Sequence, residues 1–508
     1  MSRWWVRVLA AAIGGLLLAA AFPPIGVGLT AVLGVALLAL AAYRAGIGIG
    51  LLTGLVGGGV FFTVLLLWLQ VVGTDAWLGL SLFCALWMAL LGAGSALVSR
   101  LPAWPVWIAC LWVLQEALRG SVPYGGFPWG RLAFAQPDTA VGRMASLVGQ
   151  PGVTFLVALA GTALAAAVLC LGRADRARTA AWLGFAVACL VVPLLIPLAE
   201  PTPARTLPVA IVQGGTPQTG LGAMDVRRAV LDNHVEQTML LAQRVKRGDV
   251  TAPAFVLWPE NSSDLDPFVD AGAAESISEA ARAIGVPILV GAVVNVPGNP
   301  NGVWNIGVLW EPARGPGPVY IKRHPVPFGE YIPMRPLIAS LIGRFDRIPR
   351  DFIPGDRAGF FRVAGVPFGD VICFEVAYDD VMHPLFASSS RFITVQTNNA
   401  TYGGSAQPDQ QLGIERMRAI EGGRPILVAA TTGVSAFIAA DGSIVDRLDQ
   451  GEVGSLVVDV PIAEHRTIAT ALGDLPEIVL SIIGLLAVVV AIVTTARDRR
   501  RSRPRVET

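Results

Sequence analysis

Chemistry needs a group that can donate or accept an electron pair, and in this chain such groups are few. Five cysteines occur, at 84, 110, 170, 189 and 373. Four sit inside long apolar runs, where a small apolar-behaving side chain needs no special reason. Cys373 alone lies in a charged stretch, GDVICFE (369–375), at the close of a strand-like run, the place where α/β sites often lie. A thiol attacks well only as thiolate, so such a role needs a neighbouring base; a buried strand cysteine is the other reading. Of 38 Lys+Arg only two are lysine, Lys246 and Lys322. Lysine, unlike arginine, is a compact ammonium that can shift its pKa. Lys246 closes an amphipathic helix, where the helix dipole accounts for it. Lys322, at the end of a β run in VYIKRHPVPFGEY, has no such account. The histidines are His234, His324, His383 and His465. None has metal-ligand spacing with Cys373, and no CxxC or HExxH occurs. A Cys-His pair with His324 or His383 stays open, since partners need not be close in sequence.

The elements that must position these groups fall into two kinds. Hydrophobic residues make up 54% of the 508, charged residues 15%, and the net charge is +1. A soluble chain has about 25% charged residues, so this one is not wholly soluble. The neutral balance removes the basic surface that a nucleic-acid binder needs, and the apolar excess argues against disorder. Runs long enough to cross a bilayer lie at about 5–22, 24–43, 47–72, 77–98, 104–119, 150–172, 179–199 and 476–496. Between them, strand-like runs at 207–214, 255–260, 287–294, 303–310, 369–375, 391–398 and 425–432 alternate with helical periodicity at 226–247 and 271–284. The expected domains are a membrane domain of seven helices at 1–200, an α/β catalytic domain at 201–470, and an eighth helix with a basic tail at 471–508. VWNIGVLWEPARGPGPVYIKR reads as a hairpin, so the sheet is expected to be mixed.

Charge sets the orientation. Arg3, Arg7, Arg44, Arg100, Arg173, Arg176, Arg178 and the tail all fall on one side if the N-terminus is cytoplasmic. Arg131 and Arg143, in the long loop 120–149, are the exceptions. Residues 1–199 carry a net +6, 479–508 a net +4, and 200–478 a net −9. The acidic catalytic domain is therefore expected outside the cytoplasm. A signal-peptide reading of the first segment, with its Ala19-Ala20-Ala21, leaves that face unchanged.

Three phrases, WPEN (258–261), YIKRHPVPFGEY (320–331) and GDVICFE, resemble in order and broad spacing the catalytic blocks of the nitrilase (carbon–nitrogen hydrolase) superfamily. With the eight spans and the phrase EALRGSVPYGGFPW (116–129), the chain resembles the apolipoprotein N-acyltransferase family over nearly its whole length. The resemblance implies an αββα sandwich and a triad of Glu260, Lys322 and Cys373. Glu260 would act as base, while Lys322 and the backbone N–H of Phe374 hold the oxyanion. Glu330 would orient Lys322 or the amine, and Glu375 would support from behind. Phe374 stands where many members have Tyr. NNATYGGS (398–405) departs from the common NDAWFG form, leaving Tyr402 as the aromatic group.

The implied reaction is ping-pong, without metal or cofactor. Cys373 takes an acyl chain from a membrane phospholipid and passes it to the N-terminal amine of a diacylated apolipoprotein. The location implied is the bacterial inner membrane, with the catalytic domain on the extracytoplasmic face. A membrane-bound amidase and a non-catalytic transporter or receptor are the alternatives. Two further expectations concern the membrane. Ile332, Met334, Leu337, Ile338, Leu341, Ile342 and Phe345, interleaved with Arg335, Arg344, Arg347 and Arg350, are expected to dip into the interface. Glu116 and Arg119 are expected to pair near the end of span five.

Overall fold

The computed structural model describes residues 3–198, 205–222, 225–226, 228–338, 343–462 and 466–501. The chain divides into two compact units, Met1–Pro197 with Leu472–Thr508, and Leu198–Ala471.

The first unit is helical. Its helices are α1 (Trp4–Ala20), α2 (Thr30–Ala42), α3 (Ile47–Leu65), α4 (Thr74–Val98), α5 (Trp104–Arg119), α6 (Ala145–Leu171) and α7 (Arg176–Val191). Among the described residues, five apolar stretches are long enough to cross a membrane: Ile47–Leu65, Thr74–Val98, Ala140–Leu171, Arg176–Leu195 and, near the C-terminus, Leu475–Arg497. Trp4–Ala20 and Thr30–Ala42 are apolar but shorter. Hydropathy overruns the true helix ends in two places. The second span starts at Thr30 rather than 24, because Pro23 and Pro24 lie in a turn. The third ends at Leu65 and continues as a 3₁₀ turn, Leu67–Val71. α6 breaks at Val148 and Gly149, just ahead of Pro151, whose ring cannot continue a helix. α3 and α4 pack so closely that a Cβ on Gly54 would meet Ala89 Cα at 2.9 Å, which is why small residues line that seam.

The second unit begins with β1 (Thr206–Gln213), α8 (Ala229–Arg247), β2 (Phe255–Leu257), α9 (Ala271–Ile284), β3 (Ile288–Val296), β4 (Asn299–Glu311) and β5 (Gly315–Ile321). After the short α10 (Arg335–Ile338) come β6 (Asp351–Phe352), β7 (Gly359–Val363), β8 (Val366–Ile372), α11 (Asp379–Ala387) and β9 (Ile393–Thr397). α12 (Gln407–Gly422), β10 (Ile426–Ala430), β11 (Ser435–Ile438), β12 (Ile444–Leu448) and β13 (Gly454–Pro461) complete the domain. α13 (Ile468–Leu472) and α14 (Leu475–Arg501) follow.

Two sheets form, one in the order β13-β1-β2-β3-β4-β5 with β6 on β4, the other β12-β11-β10-β9-β8-β7. β1, β2 and β3 run parallel while β3, β4 and β5 are antiparallel, so the sheet is mixed as the hairpin reading expects. Val209, Ile211, Phe255 and Leu257 of one sheet meet Phe361, Phe368, Ile372 and Leu427 of the other in one core. Stacked Phe255, Phe368 and Phe392 rings, 5.0 Å apart for successive pairs, run through it. α8 and α9 cover the first sheet through Leu231, Leu241 and Ile277, and α11 and α12 contact the second. This is the αββα sandwich. α9 starts where Asp270 accepts from Ala273 N at 2.9 Å and stops at the left-handed Gly285.

Candidate active site

Glu260, Lys322 and Cys373 each follow the end of a strand. β2 stops at Leu257, and Trp258 and Pro259 lead to Glu260. A Cβ on Gly291 of β3 would strike the Pro259 carbonyl and lie 2.7 Å from Glu260 Cα. Glycine there lets the segment lie flat on the sheet. Lys322 follows β5, its N–H bonded to Asn305 O at 2.9 Å and its carbonyl to Gly355 N at 2.8 Å. β8 ends at Ile372, so CFE is not strand: Cys373 opens a 3₁₀ turn, Cys373–Ala377, with φ +59°. A non-glycine residue in that region is strained, and such strain gathers at functional sites.

The centre is a buried ammonium between two carboxylates. Lys322 is 2% exposed and Glu260 4%. Lys322 Nζ lies 3.0 Å from Glu260 Oε1 and 2.9 Å from Glu330 Oε1. Asn305 Nδ2 donates to the same two oxygens at 2.7 and 3.0 Å. The second oxygens are held by backbone, Glu260 Oε2 by Asn398 N at 2.9 Å and Glu330 Oε2 by Val326 N at 2.7 Å. Burial pulls the Lys322 ammonium down, but Glu260 and Glu330 outweigh it and hold the group well above the usual lysine range. Burial and the Glu260 charge push the Cys373 thiol up to about 12, against Lys322 and a Thr397 hydrogen bond that pull it down. At rest this is a thiol, so attack requires its proton to leave as the substrate arrives.

Glu375 ties the pieces together from below. It is fully buried and accepts from Tyr320 Oη at 2.8 Å, Arg323 N at 2.6 Å, His324 N at 3.1 Å and Ile372 N at 2.8 Å. The chain after Lys322 and the chain before Cys373 are thereby joined through one carboxylate. The structure thus brings Glu260, Lys322, Glu330, Cys373 and Glu375 into one electrostatic neighbourhood. The Phe374 ring packs edge-on to Tyr378 at 5.2 Å. The Tyr402 phenol lies within the fields of Cys373, Glu330 and Glu260.

Other candidates go elsewhere. Lys246 sits in the last turn of α8 beside Arg244 and Arg247. His234 is a core residue between Val230 O and Gly214 N, and burial lowers it to about 4. His324 pairs with Asp380 at 2.8 Å and His383 with Glu421 at 3.7 Å; His465 lies outside the described residues. Of the arm, Ile332 and Phe345 are buried, Met334 and Leu337 exposed, and Arg335 pairs with Asp351 at 2.5 Å. Leu341 and Ile342, and the side chains of Ile338 and Arg344, lie outside the described residues. In the helical unit, Glu116 accepts from Leu132 N at 2.8 Å and Thr154 Oγ1 at 2.7 Å. Arg119 donates to the Phe127 carbonyl at 2.6 Å. Both side chains therefore hold the loop after α5.

Three supports escape the sequence reading. Asn305 is a lone amide in the apolar run VWNIGVLW, and a buried polar group in such a run is itself a signal. Thr397, at the end of β9, lies beside Cys373 and helps to pull its thiol down. Arg418 of α12 is fully buried and donates to Val376 O and Ala377 O, both at 2.9 Å, clamping the turn that Cys373 opens.

Residues 14–163 match the apolipoprotein N-acyltransferase N-terminal domain, and residues 209–470 the carbon-nitrogen hydrolase family. An apolipoprotein N-acyltransferase from Mycolicibacterium smegmatis is 39% identical, over 97% of this chain and 87% of its own. The enzyme of that name from Methylococcus capsulatus is 31% identical over 97% of both chains. A solved amidase from Nesterenkonia sp. is 17% identical, with TM-score 0.37 over 51% of this chain and 93% of its own.

Proposed function

The chain belongs to the apolipoprotein N-acyltransferase family, and from that premise we propose how its residues divide the work. It is an acyltransferase of lipoprotein maturation and a membrane protein. Cys373 Sγ attacks the sn-1 ester carbon of a phospholipid, forming the S–C bond. Glu260 takes the thiol proton and delivers it to the departing lysophospholipid oxygen as the C–O bond breaks. Lys322, aided by the Phe374 N–H, holds the negative oxygen of the tetrahedral intermediate. Glu330 keeps the ammonium aimed. The α-amino group of a diacylglyceryl-cysteine then attacks the thioester. An amide forms, the C–S bond breaks, and Glu260 returns the amine's proton to sulfur. Passing from thioester to amide is downhill, so no nucleotide is needed.

With the seven spans before the catalytic unit and the one after it that hydropathy leads us to expect, that unit lies on the extracytoplasmic face. The arginine-rich short loops and tail support this reading. Donor and acceptor are then both lipids of the outer leaflet. The arm at 331–350 enters the interface and guides acyl chains, with Met334 and Leu337 as its exposed apolar contacts.

The observation that carries the mechanism is the Lys322 ammonium wedged between Glu260 and Glu330 beside Cys373. Purified enzyme incubated with phospholipid should gain one acyl group on Cys373 by mass spectrometry. A diacylated lipopeptide should discharge it into an N-acylated product. Absence of the adduct from folded enzyme, or its discharge only to free fatty acid with the lipopeptide present, would overturn the proposal.

A further inference from the structure

The apolar core between the two sheets holds a polar island that the mechanism above does not use. Asp370 of β8 and Thr394 and Gln396 of β9 are fully buried. Phe368, Ile372 and Phe392, two positions away along the same strands, belong to that core. Each side chain of the island is pinned at one end. Thr394 Oγ1 donates to Asp370 Oδ1 at 2.6 Å. Gln396 Nε2 donates to the Trp258 carbonyl at 2.7 Å and the Leu289 carbonyl at 3.4 Å. Two carbonyls on the nitrogen fix the way the amide faces, so Gln396 Oε1 is an acceptor.

The other ends meet over Gly307 of β4. A Cβ on Gly307 would lie 2.5 Å from Gln396 Oε1 and 2.8 Å from Asp370 Oδ2. Both oxygens are sealed from solvent, and neither has a hydrogen-bond partner among the described residues. Gly307 offers them only a Cα–H, which is a weak donor. Two buried acceptors aimed at one point repel unless a hydrogen lies between them, and a carboxylic acid can supply it. The titratable neighbours, Glu375 and Tyr320, bring no positive charge. Burial pushes the Asp370 carboxyl well above the usual carboxylate range; the Thr394 bond opposes this and the Glu375 charge adds to it.

We propose that Asp370 is a neutral acid that donates its proton from Oδ2 to Gln396 Oε1, and that the pair is a positioning device for acyl transfer. It ties the strand of the nucleophile to the segment of the base. Asp370 lies in β8, the strand that delivers Cys373. Gln396 reaches from β9 to the carbonyl of Trp258, two residues before Glu260. Just beyond it on the same chain, Thr397 lies beside Cys373 and Asn398 N holds Glu260 Oε2 at 2.9 Å. An ionised Asp370 would repel Gln396 Oε1 and loosen its grip on the Trp258 carbonyl.

Difference infrared spectroscopy of the full chain in detergent, wild type minus Asp370→Asn, reads the proton directly. The wild type should show the C=O stretch of a protonated carboxylic acid at neutral pH, and the variant should lack it. Asparagine can accept from Thr394 and donate to Gln396, so its Cys373 adduct should form within about threefold of the wild-type rate. Asp370→Ala should slow adduct formation by roughly tenfold or more at saturating phospholipid, with KM for phospholipid unchanged. Gln396→Met keeps the volume but loses the acceptor, and carries the same expectation should Asp370→Ala not fold. The thermal midpoint in detergent shows which variants are folded. Absence of the band means an ionised Asp370 bridged by water or a cation, and overturns the proposal. So does an Asp370→Asn slowed as much as Asp370→Ala, or a full rate in folded Asp370→Ala or Gln396→Met. The rates rest on the acyl-transfer mechanism proposed above and the infrared band does not, so the two failures are distinguishable.

Discussion

The catalytic unit buries two charge clusters that both bear on the turn at Cys373, and they use their cations in opposite ways. Around Lys322, two of three ammonium protons go to Glu260 and Glu330, leaving one for a developing oxyanion. Around Arg418, Nε donates to Val376 O, Nη2 to Ala377 O and Nη1 to Glu421 Oε2 (2.6 Å), and the guanidinium pairs with Asp379 Oδ1 at 2.7 Å. On the proposed mechanism, equal burial thus serves chemistry in one cluster and architecture in the other. A lysine suits the first because it is compact and incompletely satisfied. An arginine suits the second because its planar fork reaches two carbonyls of one turn and the carboxylate beside them at once.

Substitutions that keep the charge but change its shape test this contrast, once the nucleophile itself is established. Cys373→Ala should abolish both the adduct and product, with the thermal midpoint in detergent nearly unchanged. Glu260→Gln should lower the rate of adduct formation by about 10²–10⁴-fold, measured by single-turnover mass spectrometry. Lys322→Arg should cost about 10²–10³-fold in kcat with little loss of stability. Arg418→Lys should do the reverse. Losing the two carbonyl contacts in a buried site costs about 1–3 kcal/mol for each group left unpaired, seen as a lower midpoint, while the folded fraction acylates within about tenfold of wild type. If Arg418→Lys instead removes activity at full stability, the contrast fails.

The smallest expected effect is on pH dependence. Burial lowers His383, but the Glu421 and Asp379 carboxylates win and raise it to about 9, from about 6.5 when unfolded. A group raised on folding stabilises fully below its unfolded value, and its contribution disappears as pH rises through the folded one. The midpoint should therefore decline between about pH 6.5 and 9, and His383→Gln should flatten that decline. Glu421 is held down at about 2, burial opposing and Arg418 prevailing. Its contribution, present above about 4.5, is lost only as pH falls through about 2.

Lys322 and Cys373 are legible in the sequence for a physical reason, whereas Glu260 enters only through the resemblance that WPEN carries. In a chain this rich in arginine a lysine is scarce, and outside the apolar runs a cysteine is unique. Strand alternation and the helix at 271–284 are legible because burial imposes their period. The left-handed turn at Cys373 is not, since no local residue preference predicts a cysteine at positive φ. Arg418 is one of 36 arginines, and its role exists only once α12 packs against a turn 42 positions earlier. Hydropathy likewise overruns at Pro23 and Leu65 because an apolar turn and an apolar helix score alike.

The thiol held near 12 has a consequence for durability. Oxidants and alkylating agents react with thiolate, and oxidation beyond sulfenic acid is not ordinarily reversed. On the extracytoplasmic face proposed above no reducing buffer protects a cysteine, and the second unit has no other with which to form a protective disulfide. On the proposed mechanism the nucleophile surrenders its proton only when an ester is in place, and so stays chemically quiet between turnovers. Its shelter from corrosion is the same burial that makes it wait for substrate.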